Sequence, residues 1–497
     1  MNGISSSYRV IKKNVCCFFQ TRPITLIISV ALFLRLYFFS GLIFSDDSYY
    51  NWLSFELTNG SFNKDYIGYP VFLIRKLHLF FTSLSFWGLG YGEIQSVFIP
   101  FLLSISSVIL IYKISNLLFD NKSISAIASF LYCFSPVDVT FASINFTDLD
   151  CTFLINIGMY FLIKAFKKNN NKYSFLSGIF LFTSMLVKEY AYFFIILLVV
   201  YFVYEFIINR RVSFIVAVPL VVCAVLLVVE GLLYYWIEGD YLYRLSIFRK
   251  NFIYAYYDFF PYTSAIDGIS GIKYLAAVLI HIIENFKYIL TRRYYIFLPV
   301  AALYKAYKMI KAKQIDYTVV WFVGLLILMP IVSVSISSYR PIEMRRVYYI
   351  YPMLFPICIL SAMLFSKLKP FYRHMLIVLY ASYGILMMSE FQNYFDEKNL
   401  ADFKHYLITN VDKTIITDHH TAYGIRLVRH YENNEKVKIF TNQNRLCVGE
   451  NELIVYNKPS VEELTKQGFT FPDLKKSEGT GLKMITSFGQ IYIFRKK

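Results

Sequence analysis

Long apolar runs separated by short polar tracts occupy the first 390 of the 497 positions. Each run approaches the length of about 20 residues that a helix needs to cross the ~30 Å hydrocarbon core of a bilayer. These runs lie near 24–44, 94–118, 124–140, 149–166, 174–187, 190–208, 213–236, 294–310, 317–337, 346–366 and 374–390. The pattern predicts an α-helical polytopic membrane protein with about 11 transmembrane helices, or up to about 13 if ambiguous stretches also cross.

Basic residues cluster in some of the polar tracts and predict the orientation of the chain. The tracts KAFKKNNNKY, NRR, YKAYKMIKAK and SKLKPFYRH fall on the side of the N-terminal Arg9, Lys12 and Lys13 if the spans alternate. By the positive-inside rule this side, with the N-terminus, is cytoplasmic. We therefore expect an integral multi-pass protein of the plasma (inner) membrane, surrounded by membrane lipids, with a first outer loop at 45–92.

The character of the sequence changes past Glu390, where the apolar runs end. Short strand-like segments, TIITD, VKIFT, ELIVYN and GQIYIFRK, alternate there with polar helices and turns. We predict two domains: a transmembrane domain at 1–390, which includes the first outer loop, and a small soluble extracytoplasmic α/β domain at 391–497.

Composition and charge support the membrane assignment. The chain is 57% hydrophobic and 17% charged, whereas soluble domains carry about 25% charged residues. A net charge of +17 can indicate a protein that binds nucleic acid. Here the basic residues lie in short tracts between apolar runs, so we expect no nucleic-acid partner. The seven cysteines form no CxxC motif, which favours neither a zinc site nor a disulfide framework.

Ionisable residues of both signs collect at the outer ends of the apolar runs. Charges at membrane depth are costly and usually functional. Carboxylates beside several arginines and lysines suggest a site that binds a phosphate and also moves a proton. The residues concerned are Asp46, Asp47, Asp138, Asp148, Asp150, Lys188, Glu189, Arg340, Glu343, Arg345 and Arg346.

Five motifs, in order along this region, resemble those of the GT-C superfamily of membrane glycosyltransferases, which contains protein O-mannosyltransferases and lipid A aminoarabinose transferases. FSDDSYYNWLSFELTNG carries the acidic pair Asp46-Asp47 of the first loop. GYPVFLI is similar to an aromatic-Pro-Pro stretch, with Val71 in place of the second proline. NFTDLDCTFLINIGMYFL resembles a second acidic turn. LVKEYAYFF resembles a turn of which it keeps the lysine, Lys188. EMRRVYYIYPMLFPICIL resembles a late Arg-Tyr span.

The resemblance implies an inverting glycosyltransferase that moves a sugar from a polyprenyl-phosphate-linked donor to a lipid, glycan or protein acceptor. It implies Asp46 as the base, with Asp47 orienting it or helping the second acidic turn to hold a divalent cation, Mg²⁺ or Mn²⁺. The other implied positions are Lys188, Arg345, Arg346 and Arg75 for the donor phosphate, Asp148 and Asp150 for the second acidic turn, and Tyr49, Tyr50, Tyr69 and Tyr349 for the substrate pocket.

Two other functions fit parts of the pattern. A transporter or flippase of lipid-linked saccharides would also have many spans, but it should place charges at mid-span and show halves of matching topology. A ligase or polymerase of lipid-linked saccharides would concentrate arginines in one late outer loop.

Simpler roles are also open for individual residues. The Asp46-Asp47 pair could be a helix N-cap. Lys188 and Glu189 could form a local ion pair. The adjacent histidines in TDHHTAYG, at 419 and 420, are expected on the surface of the soluble domain rather than at a metal.

Overall fold

The computed structural model describes most of the chain, and the helices fall where the apolar runs predict them. The described residues are 23–61, 71–210, 213–249, 272–295, 297–331, 344, 346–440, 451–466 and 482–496. Helices before the sheet are α1 (Pro23–Tyr37), α2 (Asp46–Thr58), α3 (Val71–Ile74), α4 (Lys76–Leu89), α5 (Glu93–Phe119), α6 (Lys122–Cys133), α7 (Pro136–Phe141), α8 (Thr147–Lys168), α9 (Asn171–Met185), α10 (Tyr192–Asn209), α11 (Phe214–Glu238), α12 (Ile272–Thr291), α13 (Leu298–Lys311), α14 (Tyr317–Ile331), α15 (Tyr351–Phe365), α16 (Pro370–Tyr394) and α17 (Glu397–Thr409).

Six helical segments in the described part of the chain are long and apolar enough, by length and composition, to cross a bilayer. They are Glu93–Phe119, Thr147–Lys168, Glu189–Ile207, Phe214–Glu238, Val347–Phe365 and Pro370–Tyr394. The helices α1 and α14 are apolar but shorter, with 15 residues each. The polytopic membrane architecture is therefore supported, and the count of about 11 spans stays a prediction.

Two predicted spans differ from the helices that the structure contains. The run at 124–140 is broken, because α6 ends at Cys133 and Pro136 begins the separate helix α7. The first run ends early: α1 stops at Tyr37, and the backbone turns at Gly41, whose φ of +70° lies in the region that favours glycine. The segment from there leads into α2, whose first two residues are the first acidic pair.

The transmembrane helices pack around α8. Its neighbours include α5, α9 and α15, and α6 packs against both α5 and α15. Buried apolar side chains from these helices form one continuous core. Because the first residues of α8 carry the second acidic turn, this packing holds Asp148 and Asp150 in a buried position.

The C-terminal region forms a five-stranded mixed sheet with the order β2-β1-β3-β5-β4. Its elements are β1 (Thr414–Thr417), α18 (His419–Val428), β2 (Val437–Ile439), β3 (Glu452–Asn457), α19 (Lys458–Lys466), β4 (Leu482–Phe488) and β5 (Ile491–Lys496). The strand β1 pairs in parallel with β2 and β3, whereas β5 is antiparallel to β3 and β4. The small C-terminal sheet predicted from the sequence is thus present.

The sheet region packs directly on α2 and the segment before it. The helix α18 lies against α2, and the ring of Trp52 stacks on that of Tyr423 with their centroids 5.2 Å apart. Leu42 and Phe44, just before α2, share one buried cluster with Phe403 of α17. The C-terminal region and the acidic first turn are therefore parts of one packed unit.

Candidate active site

Asp46, the first residue of α2, presents a carboxylate that is half-buried. Among the described residues none donates a hydrogen bond to it or forms an ion pair with it. Burial raises the pKa of this carboxyl above its usual value, although the nearby positive charges of Arg75, Arg346 and Lys188 act to lower it. The group is thus close to three cations without being tied to one of them.

Asp47 is bound in a different way. Its side chain is 1% exposed, and its carboxylate accepts hydrogen bonds from three backbone N–H groups: Ile43 at 2.7 Å, Ser45 at 2.7 Å and Ser48 at 2.9 Å. Burial raises its pKa to about 6, against the opposing effect of these N–H donors. The interpretation of the acidic pair as a helix N-cap is wrong, because Ser45 is the N-cap and both aspartates lie in the first turn of α2. The carboxylate of Asp47 instead closes the turn that leads into the helix.

Arg75, just before α4, is held by two side chains that the chain brings from far away. Its Nη2 and Nε donate to the two carboxylate oxygens of Glu189 at 2.9 and 3.2 Å, and its Nη1 donates to the hydroxyl of Tyr50. This fork-to-carboxylate geometry fixes the plane of the guanidinium. The guanidinium carbon also lies 5.8 Å from the centre of the Phe72 ring.

Lys188 pairs with the second acidic turn. Its Nζ donates to both carboxylate oxygens of Asp148, at 2.7 and 2.8 Å, and lies 4.8 Å from the ring centre of Tyr348 and 5.6 Å from that of Tyr349. Glu189 pairs with Arg75 instead. The interpretation of Lys188 and Glu189 as a local ion pair is therefore wrong, because each side chain has a partner on another element.

Asp150 forms the second pair of this turn. Its Oδ2 lies 2.8 Å from Nδ1 of His78, and both side chains are buried. The edge of the His78 ring meets the ring of Tyr50, with centroids 4.6 Å apart. Sequence reasoning missed the contribution of His78. The available signal was its spacing, since His78 follows Arg75 by three residues around the start of α4 and so falls on the same face.

The remaining predicted site residues are partly accounted for. Arg346 donates from Nη1 to the hydroxyl of Tyr348 at 2.7 Å, and Tyr349 lies beside Lys188. The ring of Tyr49 is buried between α2 and the C-terminal region. The other two, Tyr69 and Arg345, lie outside the described residues.

A divalent cation does not fit the carboxylates that were expected to hold it. In the described part of the chain no group of three or more His, Cys, Asp or Glu side chains is arranged to bind a metal ion. The oxygens of Asp47 are taken by backbone amides, those of Asp148 by Lys188, and one of Asp150 by His78. We derive no chemical step that uses a metal ion.

Two expectations about polar residues outside this cluster are corrected. His419 and His420 are buried, with exposures of 3% and 1%, because α18 packs against α2 and the ring of Tyr49 meets that of His420 at 4.5 Å. Burial lowers their pKa values to about 4 and about 3. Asp138 lies apart from the site, in a fully buried ion pair with Arg35.

Part of the chain matches a known protein family. Residues 77–236 match the dolichyl-phosphate-mannose-protein mannosyltransferase family. The dolichyl-phosphooligosaccharide-protein glycotransferase 1 of Archaeoglobus fulgidus is 33% identical over 139 residues, which is 26% of this chain and 24% of that protein. The alignment thus spans about a quarter of the length of the curated relative.

Solved structures extend the likeness over nearly the whole chain. ArnT from Cupriavidus metallidurans, bound to undecaprenyl phosphate, aligns over 95% of this chain and 98% of its own with 13% identity and a TM-score of 0.57. The Archaeoglobus fulgidus oligosaccharyltransferase, in complex with Zn and sulfate, aligns over 87% of this chain and 67% of its own with 12% identity and a TM-score of 0.53. At these identities the likeness shows a common fold.

The resemblance indicated by the five motifs is confirmed by the family match, which contains two of them, and by the shared fold, which covers nearly the whole chain. The chain has the fold of the GT-C membrane glycosyltransferases and carries, over residues 77–236, the sequence pattern of the dolichyl-phosphate-mannose-protein mannosyltransferase family.

Proposed function

We propose that the chain is an inverting glycosyltransferase that moves a sugar from a polyprenyl-phosphate-linked donor to an acceptor at the outer membrane face. The observation that carries the proposal is the state of Asp46. Its carboxylate is half-buried, accepts no hydrogen bond from the described residues and lies in the field of three cations. A general base next to a phosphate-binding surface needs a carboxylate that is partly accessible, not already hydrogen-bonded and close to the cations.

In this mechanism Asp46 takes the proton of the acceptor hydroxyl as that oxygen bonds to the anomeric carbon of the donor sugar. The bond from the same carbon to the phosphate oxygen breaks on the opposite face, so the configuration inverts. The transition state resembles an oxocarbenium ion, which a nearby negative charge stabilises. The raised pKa of Asp46 brings its basicity closer to neutral pH and makes it a more effective proton acceptor.

The departing lipid phosphate carries the negative charge that the cations would stabilise. Arg75, Lys188 and Arg346 are candidates for this role, with Arg345 as a further candidate from the resemblance. Arg75 is positioned by Glu189 and Lys188 by Asp148. Groups held in place before the donor arrives need no reorganisation during the reaction, which is the physical basis of electrostatic catalysis. ArnT was solved with a polyprenyl phosphate, undecaprenyl phosphate, which supports a lipid-phosphate donor here.

The placement of the charges supports a transferase over a transporter. Asp46 and Asp148 stand in the first turns of α2 and α8, and Lys188 precedes the turn at Glu189–Ala191. These are helix starts rather than mid-span positions, where a transport pathway would carry its ionisable groups.

The decisive assay is sugar transfer from a labelled polyprenyl-phosphate sugar by the protein in liposomes. We expect Asp46→Asn to lower the rate by about 10²–10⁴-fold, the usual contribution of a general base. Asp412→Asn, at an exposed position after α17, is the control and should transfer at the wild-type rate.

Unchanged transfer by a stably folded Asp46→Asn protein would contradict the assignment of the base. Absence of transfer from every lipid-phosphate sugar tested, together with movement of the donor between leaflets, would favour a flippase instead.

A further inference from the structure

The short segment that leads into Asp46 adopts a backbone conformation that its own sequence does not favour. Phe44 has a φ of +57°, in the left-handed region that is strained for a non-glycine residue of this size. Such a conformation persists only when surrounding contacts impose it. The question is which part of the molecule supplies those contacts.

The ring of Phe44 is held by the C-terminal region. It is 3% exposed and packs against Phe403 of α17, with ring centroids 5.3 Å apart. On its other side is Gly424 of α18, where an added Cβ would stand 2.4 Å from the nearest atom of the Phe44 ring. Only a glycine at 424 allows this approach without displacing the ring.

A second contact holds the same segment two residues earlier. The backbone N–H of Leu42 donates to Oε1 of Glu93 at 2.7 Å, and the same oxygen is paired with Nζ of Lys404. Lys404 is adjacent to Phe403 on α17, so one helix of the C-terminal region supports both the ring of Phe44 and the acceptor of Leu42.

We propose that the C-terminal region positions the candidate base: Phe403, Lys404 and Gly424 hold residues 41–45 in the conformation that aims Asp46 at the site. These are positioning residues, since none of them contacts the three cations. Asp47 transmits the position, because its carboxylate binds the N–H groups of both Ile43 and Ser45.

This arrangement separates two kinetic effects. Arg75 is held by Glu189 and Tyr50, and Lys188 by Asp148. None of these partners lies in residues 41–45, so we expect donor binding not to depend on that segment. Displacing Asp46 should therefore lower kcat and leave the KM for the donor unchanged. A misplacement of about 1 Å in a reacting group can cost about 10²-fold in rate.

The test compares two lysine substitutions in the same region, Lys404→Met and Lys438→Met. Lys438 pairs with Glu452 on the sheet surface, far from the segment in sequence, and serves as the matched control. We expect Lys404→Met to lower kcat about tenfold or more, with a KM for a labelled polyprenyl-phosphate sugar within about twofold of wild type. The control should change neither constant.

Hydrogen exchange of the peptide covering 41–48 gives a readout that does not depend on activity. Exchange there should be at least about tenfold faster in Lys404→Met than in wild type or Lys438→Met, because the N–H groups bound by Glu93 and Asp47 open more often. Unchanged exchange in Lys404→Met would overturn the inference, and so would an equal loss of kcat in the two variants.

A compensating pair tests the contact with Gly424. We expect Gly424→Ala to lower kcat and Phe44→Leu, combined with it, to restore part of the loss by making room for the new methyl group. Equal kcat in Gly424→Ala and the double variant, both folded, would count against the contact. The kinetic part rests on the proposed function; if the wild type transfers no sugar, that function fails, whereas hydrogen exchange still decides this inference.

Discussion

The two acidic turns of the site are bound in contrasting ways. In the second turn each carboxylate has a protein partner: Asp148 is paired with Lys188 and Asp150 with His78. In the first turn Asp46 has none among the described residues. A carboxylate already committed to a buried ion pair is a poor proton acceptor, because accepting a proton breaks that pair. Under the proposed function, this difference favours proton transfer at Asp46 and a role in position and charge balance for the second turn.

The same contrast exists inside the first turn, between neighbouring residues of the same type. Asp46 is half-buried and open, whereas Asp47 is buried and satisfied by three backbone N–H groups. Two adjacent aspartates thus have separate tasks, since one is free to react and the other forms the turn that holds it. Substitutions that preserve shape but remove charge should separate these tasks.

The largest effect on stability is expected from breaking the pair in the second turn. Asp148→Asn leaves Lys188 buried without its counter-ion, which should lower the free energy of unfolding by about 3–5 kcal/mol. Unfolding of the detergent-solubilised protein, followed by circular dichroism, measures this loss. A change below about 1 kcal/mol would mean that Lys188 reaches solvent or another partner easily.

A smaller effect is expected at Asp47. The substitution Asp47→Asn retains one acceptor oxygen but places an amide donor against the backbone N–H groups that the carboxylate accepts. The free energy of unfolding at neutral pH should fall by about 1–3 kcal/mol, the cost of leaving a buried donor without an acceptor. The same unfolding measurement applies, and an unchanged stability would show that the turn does not depend on the carboxylate.

The pH dependence of stability gives a further test of Asp47. Its pKa is about 6 in the folded protein and about 4 in an unfolded chain. Between these values the folded protein holds a proton that the unfolded chain has lost, so this group makes the protein more stable as the pH falls from about 7 to about 4. The unfolding midpoint of the wild type, compared with that of Asp47→Asn, should therefore rise as the pH falls from about 7 to about 4. A difference that is independent of pH would contradict the assigned environment.

The smallest effect is expected from an exposed ion pair away from both turns. Lys458 and Glu462 are 3.7 Å apart on the surface of α19. Replacing Lys458 with Ala should change the free energy of unfolding by less than about 0.5 kcal/mol. A larger loss would weaken the comparison, because it would show that burial is not what distinguishes the ion pairs of the site.

The sequence predicted much of the helical framework and four of the five strands in the described part of the chain. Long apolar runs indicate helices, and short segments with alternating apolar residues indicate strands, and both patterns are local. The strand it missed, β4, lies at the edge of the sheet, and its apolar Met484 and Ile485 are exposed. A strand that buries little has no clear alternation to detect.

The acidic turns were also visible in the sequence, but their partners were not. Arg75 meets Glu189 across 114 positions and His78 meets Asp150 across 72. Such pairs are set by how elements distant in sequence pack, and no local spacing shows which partner each side chain meets. The buried histidines of α18 were misplaced for the same reason, since only the docking of α18 on α2 removes them from solvent.

The division of labour between Asp46 and Asp47 is tested most directly by measuring sugar transfer in matched Asp46→Asn and Asp47→Asn proteins. The two substitutions are isosteric, affect adjacent residues and each remove one charge. Transfer from a labelled polyprenyl-phosphate sugar would be normalised to the amount of folded protein. We predict a loss of about 10²–10⁴-fold for Asp46→Asn and a smaller loss, of about tenfold, for Asp47→Asn, which shifts the base without removing it. Equal losses in the two variants, or a larger loss at Asp47, would contradict the assignment of Asp46 as the base.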